Sequence, residues 1–127
     1  MRFRNLKGLT DLPIEAVQYR FRNEPVLTVL PVQGVISGRS SLLVALPNEL
    51  AVVTTDTQRR DGWMSSYVPW EAVGLGVIRS ESATHRLNVY VGSLTLLAEL
   101  WGPTGERALQ DFIIAAGAVP QSMATAT

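Results

Sequence analysis

The chain has no cysteine and one histidine, His85. The first absence excludes disulfides, thiolate nucleophiles and thiolate metal sites. The second leaves one imidazole with only Glu81 near it in sequence, too few donors for a metal centre. A lone histidine beside a strand reads as a surface or rim residue. No apolar run approaches the ~18 residues that a spanning helix needs. The basic start "MRFRNLKGLTDLP" carries no apolar leader segment, so a cytoplasmic location is expected. Basic and acidic residues balance at 11 each, without the basic excess that usually holds nucleic acid by its phosphates. No G-x-S-x-G occurs, and Asp56, Asp61 and Glu71 are scattered rather than paired. Acid–base and nucleophilic catalysis therefore lack their usual signatures. The expectation is a protein that is not an enzyme and uses no cofactor and no metal.

What is present is enough apolar material, 46% of 127 residues, for one domain with a real core. Residues 9 to 22, "LTDLPIEAVQYRFR", read as a short helix capped by Thr10 or Asp11, with Leu12, Ala16 and Tyr19 on one apolar stripe. Arg2, Arg4, Lys7, Arg20 and Arg22 make this end mildly basic. The texture then turns to β-branched runs separated by turn residues. The expected strands are "VLTVLPVQGVIS" with Pro31 and Gly34 marking an edge or a bend, "LLVAL", "LAVVTT", "WMSSYVP", "AVGLGVIRS", "HRLNVYV" and "LTLLAELW".

The last two strands are joined by Gly92-Ser93, a loop short enough to fix their register. Val91 should face Leu94, Val89 Leu96 and Leu87 Ala98. On the other face Tyr90 should meet Thr95, Asn88 Leu97 and Arg86 Glu99. The apolar pairs share one face and the opposite charges meet on the other, which a one-residue slip would destroy. Residues 103 to 116 are expected to be helical, with Leu109, Phe112, Ile113 and Ala116 on one face and Gly117 past the end. Residues 118 to 127 read as a polar tail.

Gly74-Leu75-Gly76 looks like the start of a dinucleotide loop, but position 79 is arginine and no crossover helix follows. The two glycines are read as one face of a strand, at a bend or a close approach. Two groups remain as candidate sites. Arg59 and Arg60 at a loop tip, with Arg39 in the first hairpin turn, could grip an anion or a lipid headgroup. Trp63, Trp70 and Trp101 stand at strand ends or turns and could bind a partner.

Seven antiparallel strands and a closing amphipathic helix are the element order of a pleckstrin-homology (PH)-like barrel. "LAVVTTD", "YVPWEAVGLGVI" and "LTLLAELWGPTGERALQDFI" resemble the third strand, the fourth-to-fifth strand passage and the last strand with its helix in bacterial PH-like domains. The resemblance covers residues 24 to 117. It implies a mainly β (α+β) fold, a bent seven-stranded barrel closed by a C-terminal helix, with residues 1–23 as an N-terminal helical extension and 118–127 as a flexible tail. The basic cluster that marks the family's lipid binders is reduced here to Arg39, and the helix carries no tryptophan. The resemblance thus implies a protein-interaction or assembly module. A homo-oligomer is expected, with a different protein partner also possible; the alternative reading is a peripheral module that binds anionic lipid through the basic N-terminus and Arg39, Arg59 and Arg60. Membrane contact should be weak and peripheral at most, and no nucleic-acid partner is expected. The candidate free edges are "VLTVLPVQGVIS" and "WMSSYVP", which hold no lysine.

Overall fold

A computed structural model describes residues 1–117; the expected polar tail lies outside them. The chain opens with a 3-10 turn, Phe3–Leu6, and a short helix α1, Ile14–Arg20. The strands are β1 (Thr28–Gly34), β2 (Ser40–Ala45), β3 (Glu49–Thr55), β4 (Trp63–Pro69), β5 (Val73–Leu75), β6 (Arg79–Glu81), β7 (Thr84–Val91) and β8 (Leu94–Trp101). A second 3-10 turn, Trp70–Ala72, separates β4 from β5, and α2 (Gly102–Gly117) ends the described chain. The strands form one antiparallel sheet in the order β4-β3-β2-β1-β8-β7-β5, with β6 also paired to β7. The fold is a bent antiparallel barrel closed by a C-terminal helix, with an added short helix at the N-terminal side.

The strand count is eight rather than the expected seven, and the reason is local. The segment "AVGLGVIRS" lies along β7 throughout, but its register slips by one residue between Leu75 and Arg79. That extra residue is a β-bulge at 76–78, which splits one strand into β5 and β6. Gly74 lies just before it and Gly76 opens it. A Cβ at either would stand 3.5 Å or more from its neighbours, so no close approach excludes a side chain there. Tyr90 is registered opposite Gly74 and its hydroxyl lies by Gly76, so its ring covers the hollow they leave. The bend was legible and the close approach was not realised.

The β7–β8 hairpin has every pair expected from the sequence, from Val91–Leu94 to Arg86–Glu99. Gly92 has φ +59° while Ser93 does not enter the positive region, the arrangement of a type II′ turn. Arg86 and Glu99 close the exposed face with a 2.6 Å ion pair. On the opposite face Leu87, Val89, Val91, Leu96, Ala98 and Leu100 enter the core.

That core lies inside the bend. Leu30, Val32, Leu43, Leu50 and Val52 from one half meet the β7–β8 face, and α2 covers the opening with Ala108, Leu109, Phe112 and Ala115. Ile113 and Ala116, also expected on this face, pack against it from a half-buried position. The helix follows β8 without a loop, because Gly102 at φ +71° turns the chain and Pro103 starts the first turn. Gly105 then crosses β8 so closely that a Cβ would fall 2.8 Å from that of Leu100.

A second core lies on the outside of the sheet. Val29, Leu42, Val44, Ala51, Val53 and Trp63 point away from α2, and Phe3, Leu6, Leu12, Val17 and Phe21 bury them. Strands β1 to β3 are therefore covered on both faces, which accounts for their continuous apolar runs. This corrects the stripe expected for the first helix. Leu12 is buried, but Ala16 is exposed and Tyr19 is 65% exposed; Val17 and Phe21 do the packing.

Candidate interaction surface

The segment around β1, expected as a possible free edge, is in fact central. It pairs with β2 along its length and with β8 at Gln33–Leu97 and Gly34–Leu96. Pro31 decides where the second pairing stops. The N–H groups of Val29 and Val35 leave the β2 side, going to the carbonyls of Met1 and Thr95. Pro31, of the same parity, faces that side with no N–H to give. Beyond Gln33 the strands part, and a cleft of about 180 Å³ opens, lined among others by Leu9, Pro31, Gln33, Glu99 and Trp101.

Strand β4 is a true edge, since among the described residues nothing pairs with its outer side. The Asp56 N–H bonds the Gly62 carbonyl just beyond the strand, and these residues continue the β3–β4 register. Residues 64, 66 and 68 therefore bond β3, while Trp63, Ser65 and Tyr67 turn their N–H and C=O groups outward. Pro69 shares that side without a donor. All seven positions pair with β3, and none of the side chains is charged. The opposite edge is different: β5 and β6 are three residues each, broken by the bulge, and Arg79 and Glu81 are exposed on it. Short length, a bulge and charge are the devices that blunt an edge. β4 has only Pro69.

The expected partner-binding tryptophans separate. Trp63 is 7% exposed in the outer core. Trp70, 4% exposed, donates its indole N–H to the Leu46 carbonyl at 2.9 Å and packs 6.1 Å from the Phe112 ring. Only Trp101, at 57%, presents a surface, beside the β1–β8 cleft. Burial fits two of the three because each ring plugs one of the two cores.

The expected anion-binding arginines are all exposed. Arg39 sits in the β1–β2 turn and Arg59 and Arg60 in the β3–β4 turn, which the antiparallel meander places at the same end of the sheet, about two strand spacings or ~10 Å apart. Arg59 pairs with Asp61 at 3.6 Å, and the Asp56 carboxylate accepts the Gln58 N–H at 3.0 Å. Ile36, which sequence reading passed over, stands 99% exposed near Arg39 in the same turn.

Both ends of β4 carry charge. At one end Arg20, Arg59 and Asp61 share a pocket with Trp63 and Ser65. Toward the other end, Tyr67 donates its hydroxyl to Glu24 at 2.9 Å, Glu49 is registered opposite Pro69, and Glu71 follows in the 3-10 turn. Partial burial, then the Glu24 carboxylate, push the Tyr67 hydroxyl above the ordinary tyrosine value. Tyr67 also packs 6.4 Å from Phe21, so it ties the N-terminal segment to the edge strand.

His85, expected at a surface or rim, is buried, and its Nδ1 shares a 2.7 Å hydrogen bond with the Ser80 hydroxyl across β6–β7. Among the described residues no carboxylate bonds the ring's other nitrogen, so the pair lacks the orienting group of a nucleophile triad. No group of three or more metal-binding side chains occurs among the described residues. No helix among them is long and apolar enough to cross a membrane. In comparisons with known proteins, no family model, no curated protein and no solved structure matches the chain.

Proposed function

We propose that this chain is a non-enzymatic assembly module of the bacterial PH-like type, which associates with copies of itself through the open edge of β4. The observation that carries the reading is that edge: seven paired residues, no charge, and outward donors and acceptors at Trp63, Ser65 and Tyr67. An unblunted edge is a template for a further strand. A net charge of zero adds no repulsion between copies. The PH-like part of the reading draws on the four-strand meander, the hairpin that follows and the closing helix.

Light scattering of the purified chain at micromolar concentration tests it, with a dimer or higher mass expected. Ser65→Pro removes an outward N–H and no bond to β3, so the variant should stay folded and become monomeric. A wild-type chain of monomer mass would falsify self-association and leave a different protein as the occupant of the edge.

The second reading, peripheral contact with an anionic lipid surface, is favoured by one feature. Ile36 projects from a turn that also holds Arg39, at the same end as Arg59 and Arg60. Exposed apolar groups beside cations suit a headgroup boundary. Four charges of the β3–β4 turn cancel, however, and each Lys or Arg near such a surface contributes only about 1 kcal/mol. Vesicle sedimentation should therefore be weak and lost at high salt; salt-resistant binding abolished by Ile36→Asp would reverse the ranking.

A further inference from the structure

We infer that the two copies meet about a two-fold axis at Ser65, with β4 antiparallel to the partner's β4 and Arg60 of each chain against the partner's Glu71. The inference rests on the self-association reading above and specifies its geometry. A two-fold contact uses the same patch on both copies, so the patch must complement itself when reversed. An uncharged strand meets that condition along its length. Centring on Ser65 sets Trp63 of one chain opposite Tyr67 of the other and Ser65 opposite Ser65. Every outward donor then faces an acceptor, and Pro69 stays outside this ladder.

The charges at the strand ends choose the same arrangement. Past the ends of β4 the chain leaves strand geometry, but the reversal still brings the β3–β4 turn of one chain, with Arg60, alongside the Trp70–Ala72 turn of the other, with Glu71. Among the described residues Arg60 and Glu71 are both exposed and in no ion pair, whereas Arg59 is engaged with Asp61. Reversal therefore puts an unengaged cation against an unengaged carboxylate, twice by symmetry. A parallel pairing would set arginine against arginine and Glu71 against Glu71, and like charges at a contact select against it.

Charge reversal tests the geometry, with sedimentation equilibrium as the readout at physiological salt. Arg60→Glu and Glu71→Arg should each raise the dimer dissociation constant about tenfold, because each changes two rim pairs from attraction to repulsion. Mixing the two variants should restore wild-type affinity, since the mixed dimer has an opposite-charge pair at both sites. The chain carrying both changes should also recover. If each variant alone dimerises as tightly as wild type, or the mixture is no tighter than its parts, the two-fold arrangement is overturned. Ser65→Pro then separates the two ideas. A monomeric Ser65→Pro chain would keep the β4 edge and discard only this register. A mass unchanged by Ser65→Pro, or a monomeric wild type, would remove both.

Discussion

Two backbone positions show how single residues carry the fold. Ser82 and Ala83 form the β6–β7 turn with φ of +50° and +67°, the left-handed region that favours glycine. The Ala83 carbonyl is useful there, since it accepts the Gly102 N–H at 2.9 Å and ties the turn to the start of α2. Left-handed backbone costs a non-glycine residue ~1–2 kcal/mol, and glycine's extra unfolded entropy returns roughly half of that. Ala83→Gly should therefore stabilise the protein by about 0.5–1 kcal/mol, read as a raised Tm; a lowered Tm would show that the turn is not strained. Gly105 is the reverse case. Helix propensity alone would favour Gly105→Ala by ~1 kcal/mol. The new Cβ would lie 2.8 Å from Leu100 Cβ and 2.9 Å from its carbonyl carbon. Overpacking of this kind costs ~1–3 kcal/mol, so the substitution should lower Tm. "ESAT" was readable as a turn, but its left-handed pair and the contact at Gly105 belong to the assembled backbone.

Among the elements, α2 and the β7–β8 hairpin were legible because their information is local. A two-residue loop leaves one register that puts Leu87, Val89 and Val91 on a single face, and the i, i+3, i+4 spacing of Leu109, Phe112 and Ile113 defines a helix face without reference to anything distant. Phe112→Asp should cost several kcal/mol by placing an unpaired charge against Trp70 and the inner core. Gln110→Asp, on the exposed side, should change Tm little. Equal, mild effects in thermal melts would mean that the helix does not seal the barrel. α1 was not legible in the same way. It is seven residues long, and its buried side chains, Val17 with the flanking Leu12 and Phe21, answer to the sheet beneath rather than to a stripe. Tyr19, which completed the expected stripe, lies instead under the Arg22 guanidinium at 3.8 Å from the ring centre.

For the molecule as a whole, one meander separates two cores. Residues 1–23 fold onto the outer face, where they cover Val29, Leu42, Val44, Ala51 and Val53. Deleting residues 1–23 would uncover that apolar face, and large exposed apolar surface drives association. The shortened chain should collect in the insoluble fraction on expression or bind a hydrophobic dye strongly, while Phe21→Ala alone should cost about 3–5 kcal/mol. A soluble, cooperatively melting chain that starts at residue 24 would show that the outer core is dispensable.

Composition, turn residues and hydrophobic period determined the succession of strands along the chain, the closing helix and the β7–β8 register, because each follows from residues adjacent in sequence or joined by a short loop; of the two candidate edges, only "WMSSYVP" is one. The position of "VLTVLPVQGVIS" could not follow from such rules. Its Pro31 suits an edge in isolation, yet β8, more than sixty residues later, pairs with the end of β1 and leaves the proline at the mouth of a cleft. The fates of the tryptophans were decided in the same way: Trp63 and Trp70 fill the two cores, and Trp101 is left outside because β8 ends where the sheet splits. Local chemistry states what a segment can do; which of its faces and edges remain free depends on the segments that arrive from far along the chain.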